Sequence, residues 1–389
     1  MPMNKALTAA IACLTALAAV AQDKADRLLG GDISMLPVYE QRGTVYRAAD
    51  GTPVSLLPWL RQQGWNAMRV RLFVDPDKSP QKHKEEGVCQ DIDFVVRLGR
   101  QIQQAGYQFM LDFHYSDYWA DPGKQTMPQR WENIRRDNLP DSVYQYTLHT
   151  LQSMKRQGVV PELIQVGNET TNGMLWPLGK AMPLPRKAKD AAEPTAEAVA
   201  QWTEEWDYLC RLYHAGCRAC REVCPDARII IHTEKAGSWE ATQSYYQQLC
   251  HHEVDYDIIG LSYYPMWHGT IANLGQNLDR LSAQFPEKDV MIVEAAAYYS
   301  HENDPWATAD KYSEFYPISV EGQLAFAREL VGELRRHSNV KGLFWWFPEE
   351  NASGSEVTKG WLNRGLFDNH TGRALPALQA FSQFTDNKE

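Results

Sequence analysis

The chain lacks several features that mark familiar functional classes. Its 389 residues carry 39 Lys and Arg against 49 Asp and Glu, a net charge of −10, and the basic residues form no cluster. Nucleic acid is therefore not an expected partner. After residue 21 no apolar run is long enough to cross a bilayer, so no transmembrane segment is expected in the mature chain. No Pro-, Ser- or Gly-rich linker and no internal repeat divides the sequence.

A phosphate-binding loop is also missing. A doubly wound nucleotide-binding fold needs a Gly-rich loop after its first strand. Here the first strand candidate contains Gly30-Gly31 followed by Asp32, which is not a GxGxxG motif. The doubly wound fold is therefore disfavoured.

The cysteines do not show the spacing of a metal or redox motif. Cys217-x-x-Cys220 has neither a second such pair nor two His at ligand spacing. Offsets of about seven, ten and fourteen from Cys210 put four cysteines near one face of a predicted helix. Buried free thiols and one or two disulfides both remain open.

Residues 1–21 are predicted to be a secretory signal peptide. Met1–Lys5 is a short basic start, Ala6–Ala21 is almost wholly apolar, and Ala19-Val20-Ala21 is a small-x-small cleavage site. The run is too short for a membrane anchor. A lipoprotein through Cys13 is disfavoured, because the apolar run continues past this cysteine. We expect export to the periplasm, cell surface or exterior.

The remainder, residues 22–389, is predicted to be one (β/α)₈ barrel domain. Short apolar runs alternate with long amphipathic stretches, and strand followed by helix, eight times, is the pattern of this α/β fold. The strand candidates are Leu28–Ile33, Ala67–Phe73, Gln108–Phe113, Leu163–Val166, Arg228–Ile231, Ile258–Leu261, Val290–Val293 and Leu343–Trp346. The helix candidates include Ile92–Ala105, Asp141–Gln157, Thr195–Val223, Ser238–His251, Leu274–Phe285 and Ser319–Arg336. Gly106 and Gly158 are expected C-caps.

Polar or aromatic residues follow nearly every predicted strand. The C-terminal ends of barrel strands are where active sites are built. Two of these residues are glutamates, Glu169 after strand four and Glu294 after strand seven, and each follows an apolar run. Glycoside hydrolysis requires such a pair, one carboxyl group to protonate the leaving oxygen and one to attack or to activate water. Either glutamate alone could instead form a salt bridge or a helix-cap contact.

The segment Leu111–Gln125 begins as a buried strand and continues as a loop rich in aromatic and polar residues. Sugar sites combine aromatic faces for the pyranose ring with polar groups for its hydroxyls. The same composition also fits a loop that only closes the end of a barrel. As strand three and its loop, the segment lies beside the strand that carries Glu169.

Together these motifs resemble the endo-β-1,4-galactanases of glycoside hydrolase family 53, within the large clan of retaining (β/α)₈ glycosidases. The resemblance covers essentially the whole chain after residue 21, and the Asp112–Gln125 run is its most specific part. The other matching motifs are Gly31-Asp32-Ile33-Ser34, Arg69-Val70-Arg71-Leu72, Val166-Gly167-Asn168-Glu169, Leu261-Ser262-Tyr263-Tyr264-Pro265, Val293-Glu294, Gly360-Trp361-Leu362-Asn363 and Leu366-Phe367-Asp368.

The resemblance implies specific roles around the cleaved bond. Glu169 would be the general acid/base and Glu294 the nucleophile, while Asn168 would bind the sugar 2-hydroxyl. An arginine would keep Glu294 ionised, and a tyrosine would donate to it. Either of two candidates fits each of these last two positions: Arg69 or Arg71, and Tyr263 or Tyr264.

Four further residues are expected to contact the sugar. The resemblance implies that His114 and Trp346 line the site, and Asp117 and Trp119 are candidates from the strand-three loop. One departure lies after Glu294, where Ala295-Ala296-Ala297-Tyr298 replaces the expected Thr-Ala-Tyr-Pro. This puts the wall of the more distant sugar subsites in doubt.

No cofactor is required for this chemistry. Some bacterial relatives carry a structural calcium ion in the loops after strands seven and eight. Glu302, Asn303, Asp304 and Asp310 lie in the first of these loops, but they form no EF-hand-like ladder, so a solvated acidic loop is favoured.

The expected function is thus a secreted, monomeric, retaining endo-β-1,4-galactanase that acts on galactan or galacto-oligosaccharide. One alternative is a related retaining endoglycosidase acting on mannan, xylan or glucan. Another is a non-catalytic glycan-binding barrel. The presence of both carboxylates argues against the binding protein, which would need no paired acid and nucleophile.

Overall fold

Eight parallel strands close into a barrel in the computed structural model, which describes residues 27–182, 194–302, 316–353 and 363–386. Each strand pairs with the next along the chain, and the last pairs with the first. The (β/α)₈ prediction is therefore confirmed. The predicted signal peptide and Cys13 lie outside the described residues. The strands are β1 Leu28–Asp32, β2 Ala67–Leu72, β3 Gln108–Phe113, β4 Leu163–Val166, β5 Arg228–Thr233, β6 Ile258–Tyr263, β7 Asp289–Ala295 and β8 Val340–Trp346.

The predicted strands β3 and β4 match the structure residue for residue. The predicted β5, β6 and β7 stop two residues too early, because the last residues of these strands include polar side chains. His232, Ser262 and Glu294 all lie inside paired strands and are buried in the barrel. A polar residue therefore does not mark the point where the backbone pairing of these strands stops.

Helices cover the outside of the barrel. All six helix candidates are present, with ends shifted by no more than three residues; for example, the helix predicted from Leu274 begins at Ile271, after the N-cap Thr270. Gly106 and Gly158 have φ of +82° and +74°, as expected at C-caps. The helices are α1 Leu36–Gln41, α2 Leu56–Gln62, α3 Gln81–Glu85, α4 Ile92–Gln104, α5 Leu139–Arg156, α6 Ala196–Val223, α7 Trp239–His251, α8 Pro265–His268, α9 Ile271–Gln284, α10 Val320–Arg335 and α11 Pro376–Ser382.

Shorter elements complete the architecture. A two-stranded antiparallel pair joins Tyr46–Arg47 to Pro53–Val54. Single 3₁₀ turns lie at Pro76–Lys78, Gln129–Trp131, Arg136–Asn138 and Thr170–Asn172. Within the four described ranges, no helix is both long and apolar enough to span a membrane.

The barrel interior is apolar below and polar above. Its lower part is filled by a separate cluster of buried residues: Leu28, Ala67, Met110, Leu163, Ile230, Ile258, Met291, Val293 and Phe344. Side chains two apart on a strand share a face. The next inward positions on β2 to β5 are therefore filled by Arg69, Asp112, Gln165 and His232, all buried. A polar layer thus lies on an apolar floor, near the C-terminal ends of the strands.

A β-bulge on β7 sets the position of Glu294. On the β6 side, Leu261 pairs with Ile292, whereas the next residue, Ser262, pairs with Glu294, so β7 carries one extra residue. The register with β8 shifts over the same stretch. Bulges re-aim side chains next to active sites, and this one brings Glu294 level with Ser262.

The cysteines of the described residues are free thiols, which answers the question that spacing left open. Four of them, Cys210, Cys217, Cys220 and Cys224, are buried on or at the end of α6. They pack as small apolar side chains.

Gly216 lets α6 pack closely on β4, the strand that leads to Glu169. A Cβ at Gly216 would lie 2.7 Å from Val166 Cγ1 and 3.1 Å from the Tyr115 hydroxyl. We predict that Gly216→Ala lowers the free energy of unfolding by about 1–3 kcal/mol through overpacking.

The matched control is Gly332→Ala on α10, where a Cβ meets no atom of the described residues within 4 Å. Alanine should stabilise this helix by about 0.5–1 kcal/mol. Thermal or denaturant unfolding measures both variants. A Gly216→Ala variant as stable as Gly332→Ala would contradict the close packing of α6 on β4.

Candidate active site

The C-terminal ends of the strands open onto a cavity of about 920 Å³. All but two of the site residues expected from the sequence line it. They are Arg69, Arg71, His114, Trp119, Asn168, Glu169, Tyr264, Glu294 and Trp346. The structure therefore brings together residues from six of the eight strands or their loops.

Glu294 is held by two donors. Its Oε1 accepts a hydrogen bond from Arg69 Nη2 at 3.0 Å, and its Oε2 accepts one from the Tyr264 hydroxyl at 2.9 Å. Of the two arginine and two tyrosine candidates, Arg69 and Tyr264 are thus the ones that contact this carboxylate.

Arg69 lies at the centre of a buried ionic network. Its Nη1 donates to Asp32 at 2.9 Å, and its Nη2 reaches Asp112 at 2.7 Å, Asn168 Oδ1 at 2.8 Å and Glu294. Burial alone would lower the pKa of Arg69, but the facing carboxylates of Asp112, Glu294 and Asp32 outweigh it and raise the pKa above its ordinary value. The guanidinium is therefore permanently charged.

Arg71 has a different position. Its Nη1 donates to Asp32 at 3.2 Å. Its guanidinium lies 4.2 Å from the centre of the Trp119 ring and 4.9 Å from that of Phe347, within the range of cation–π attraction. Arg71 therefore supports the aromatic wall of the cavity.

Glu169 lies three residues beyond β4 in a left-handed conformation, with φ +47° and ψ +51°. For a non-glycine residue this costs of order 1 kcal/mol or more, and such strain clusters at functional sites. The backbone is held by residues distant in sequence: the Glu169 N–H donates to His232 Nδ1 at 3.3 Å, and Gln125 Nε2 donates to the Glu169 carbonyl at 3.3 Å. Its Oε1 accepts from the Ser262 hydroxyl at 2.6 Å.

The two glutamates differ in electrostatic environment. Burial raises the pKa of Glu169 well above its ordinary value, and the nearby Glu294 and Glu234 raise it further. Burial also raises the pKa of Glu294, but Arg69 and Tyr264 oppose that rise. The pKa of Glu169 is thus the more strongly raised of the two, and Glu294 is the carboxyl group that ionises more readily.

Aromatic side chains form one wall of the cavity. His114 donates from Nε2 to Asp112 at 3.0 Å and accepts from the Ala120 N–H at Nδ1, so both ring nitrogens are engaged. The Trp119 ring lies edge-on to His114 and to Trp346, with centroids 6.4 Å and 6.5 Å apart. This packing fixes the positions of the rings. Aromatic surfaces of this kind can bind the apolar face of a sugar.

Two expected site residues do not line the cavity. Asp117 is buried, and its Oδ2 accepts the N–H of Gln129 at 2.8 Å, so it holds the loop after β3 together. The Tyr263 hydroxyl donates to the carbonyl of Gly269 at 2.8 Å, outside the site. We therefore do not place Asp117 or Tyr263 among the groups that contact substrate.

Other cavity residues were missed from the sequence. Glu234 and Lys235 follow β5, and Trp267 lies on α8 with 52% of its surface exposed. Its ring packs edge-on against Tyr264, with centroids 5.3 Å apart. The only sequence signal for Trp267 was its position two residues after the Tyr263-Tyr264-Pro265 motif, and loops of this kind have no periodicity to mark them.

Of the four loop residues considered for calcium, the structure describes Glu302 alone. Its carboxylate lies 2.6 Å from His370 Nε2. Asn303, Asp304 and Asp310 lie outside the described residues. Within the described residues, no cluster of three or more His, Cys, Asp or Glu has the arrangement of a metal site.

A parallel barrel with two buried glutamates at the ends of β4 and β7, in one cavity with an aromatic wall, has the architecture of a barrel glycoside hydrolase. The family model described as glycosyl hydrolase family 53 matches residues 28–381. The chain belongs to this family and is a glycoside hydrolase.

Relatives and solved structures agree with this assignment. The chain is 31% identical to the endo-β-1,4-galactanase of Bacillus subtilis (strain 168), over 92% of this chain and 85% of that protein. It is 28% identical to the arabinogalactan endo-β-1,4-galactanase A of Aspergillus niger, over 82% and 84%. The catalytic domain of the family 53 enzyme from Ignisphaera aggregans superposes with a TM-score of 0.78 at 28% identity, covering 93% of this chain and 97% of that domain. Solved xylanases with 11–15% identity share the fold alone.

Tyr264→Phe should reduce turnover and alter its pH dependence. The lost hydrogen bond to the charged Glu294 is worth about 1.5–3 kcal/mol, which corresponds to a roughly 10- to 100-fold loss in kcat. Because this bond favours the ionised carboxylate, its removal raises the pKa of Glu294. The acidic limb of the kcat/KM profile should therefore move to higher pH.

Tyr263→Phe is the matched control, since its hydroxyl bonds outside the cavity. It should cost about 0.5–1.5 kcal/mol of stability and leave the pH profile unchanged. Equal shifts of the acidic limb in the two variants would show that Tyr264 has no special relation to Glu294.

Proposed function

We propose that this enzyme is a secreted, retaining endo-β-1,4-galactanase that cleaves β-1,4-galactan by double displacement, with Glu294 as the nucleophile and Glu169 as the general acid/base. The observation that carries the proposal is the contrast between the two carboxyl groups of one cavity. Among the described residues, Arg69 and Tyr264 donate to the Glu294 carboxylate, whereas one neutral hydroxyl, that of Ser262, donates to the Glu169 side chain. Double displacement needs one ionised and one protonated carboxyl group in the free enzyme.

In the first step, a Glu294 oxygen attacks the anomeric carbon while Glu169 gives its proton to the departing sugar oxygen. Arg69 and Tyr264 hold the attacking carboxylate from both of its oxygens, so it is ionised and oriented before substrate binds. Charge leaves Glu294 as the covalent bond forms, and this lowers the pKa of Glu169, because the two carboxyl groups repel each other.

In the second step, Glu169 acts as a base. It takes a proton from water, whose oxygen attacks the anomeric carbon and releases Glu294. The return of negative charge to Glu294 again raises the proton affinity of Glu169, so the enzyme regains its starting state. Asn168 Oδ1 accepts from Arg69, the guanidinium that also holds Glu294, and the Asn168 amide would bind the sugar 2-hydroxyl.

The galactan assignment is supported by the relatives, whose printed names are endo-β-1,4-galactanase and arabinogalactan endo-β-1,4-galactanase. The aromatic wall of the cavity suits a neutral sugar polymer. Export through the segment 1–21 and a monomeric state are part of the same proposal. Two-carboxylate hydrolysis draws on no metal or cofactor, and none is proposed for the chemistry.

Isosteric replacement of either glutamate should abolish most turnover without unfolding the protein. We predict losses of about 10²–10⁴-fold in kcat for Glu169→Gln and at least about 10³-fold for Glu294→Gln, measured as reducing-sugar release from galactan.

Glu349→Gln provides the matched control, because Glu349 is fully buried with a pKa well above its ordinary value but does not line the cavity. It should stay within a few-fold of wild type. Near-wild-type activity of Glu169→Gln or Glu294→Gln on polymer would refute the corresponding role.

Substrate and stereochemistry are tested with the wild-type enzyme. Reducing sugar should be released from β-1,4-galactan and far more slowly from xylan, mannan and glucan. NMR of the first product should show the β-anomer, since double displacement retains configuration. Release from mannan but not galactan would overturn the substrate, and the α-anomer appearing first would overturn the mechanism.

A further inference from the structure

A closed ring of hydrogen bonds links the Glu169 carboxyl group to its own backbone. The Ser262 hydroxyl donates to Glu169 Oε1 at 2.6 Å. His232 Nε2 lies 2.8 Å from Ser262 Oγ, and His232 Nδ1 accepts the N–H of Glu169 at 3.3 Å. Ser262 and His232 are fully buried, and neither belongs to the cavity lining. They therefore act on substrate only through other residues, and for Ser262 the hydrogen-bonded group in the cavity is Glu169.

The direction of these hydrogen bonds follows from the charge state of His232. Burial, helped by Arg69, lowers the pKa of His232 well below its ordinary value, so the ring is neutral and carries one N–H. The Glu169 N–H points at Nδ1, which is therefore an acceptor, and the ring proton is on Nε2. Asn168 Oδ1 lies 3.0 Å from Nδ1 but already accepts from Arg69. His232 Nε2–H thus donates to Ser262, whose single proton goes to Glu169.

This arrangement distinguishes the two oxygens of Glu169. Oε1 is occupied as an acceptor, while no hydrogen bond within the described residues uses Oε2. We propose that Ser262 is a positioning residue that, with His232, keeps Glu169 Oε1 an acceptor, so that the proton given to the leaving sugar is carried on Oε2. This inference rests on the proposed acid/base role of Glu169.

The proton transfers balance with Oε2 as the only carrier. In the first step the Oε2–H bond breaks, the proton joins the glycosidic oxygen, and that oxygen keeps the electron pair of its broken bond to the anomeric carbon. In the second step water gives a proton to Oε2 and its oxygen to the anomeric carbon, while the bond from that carbon to Glu294 breaks and its electron pair returns to the Glu294 carboxylate. The Ser262 hydroxyl donates to Oε1 throughout and favours the carboxylate, which makes Glu169 a stronger acid.

The other charges that face Glu169 act in the opposite direction. Glu294 on β7, Glu234 after β5 and Asp121 in the loop after β3 all raise its pKa, and the Tyr264 phenol lies beside it. The charged and titratable groups that face the histidine are Arg69, Asp112 and His114. None of these groups donates a hydrogen bond to the Glu169 side chain among the described residues, whereas the Ser262 hydroxyl does.

The test is the pH profile of Ser262→Ala on galactan. Loss of the hydroxyl should raise the pKa of Glu169 and move the alkaline limb of kcat/KM to higher pH by at least about half a unit, while KM changes less than about twofold. Ser262→Thr keeps a hydroxyl and should bring the limb back toward wild type. Thr147→Val, which removes a buried hydroxyl from α5 that donates to the Val143 carbonyl, is the control and should not move the limb.

A double variant separates positioning from packing. Because Ser262 acts through Glu169, Ser262→Ala should cause little further loss in a Glu169→Gln background. An equal loss in both backgrounds, or a loss in Ser262→Ala of the same factor at every pH, would overturn the proposal. The proposed function fails by a different result, which is wild-type turnover of Glu169→Gln alone.

Discussion

The buried guanidinium of Arg69 is the interaction on which the rest of the site depends. It binds carboxylates from β1, β3 and β7, and the amide of Asn168 after β4, all at 2.7–3.0 Å. Four strands of a closed barrel are thus joined by one side chain above the apolar floor. Removing one partner of a buried ion pair typically costs about 3–5 kcal/mol. The same contacts that orient the reacting groups therefore stabilise the mouth of the barrel.

Charge balance around Arg69 also explains the different states of the two glutamates. Asp32, Asp112 and Glu294 supply three carboxylates that contact the two guanidinium groups of Arg69 and Arg71. One negative charge is already in excess among these buried groups. A negative charge on Glu169, whose pKa burial raises and Glu294 raises further, adds to this excess, so the ionisation of one glutamate opposes that of the other. The network thus couples the two reacting groups, and neither can be assigned a state independently of the other.

The sequence predicted the barrel and the positions of the two glutamates near the ends of β4 and β7, because both depend on local patterns. An apolar run that ends in a polar residue, as at Asn168-Glu169 and at Glu294, predicts the C-terminal end of a barrel strand. The sequence could not choose between Arg69 and Arg71, since residues two apart on a strand face the same way. The choice is made by the neighbouring strands, which place Asp112 and Glu294 around Arg69.

Other features depended on tertiary structure that no local pattern records. Asp117 has a carboxylate of the kind that binds sugar hydroxyls, yet in the folded loop this carboxylate accepts the backbone N–H of Gln129. The bulge on β7 that sets Glu294 opposite Ser262 is a matter of strand register. Trp267 and Glu234 enter the cavity on loops, whose paths follow from packing and not from periodicity.

We propose that Arg69 and its partners leave Glu294 ionised and Glu169 protonated within one cavity. Titration of ¹³C-labelled glutamate side chains by NMR, in the wild type and with each glutamate replaced by glutamine, measures this directly. We expect the carboxyl resonance lost in Glu169→Gln to titrate at higher pH than the one lost in Glu294→Gln. We also expect the pKa of Glu169 to fall when Glu294 is neutralised. The reverse order of the two titrations would contradict the proposal.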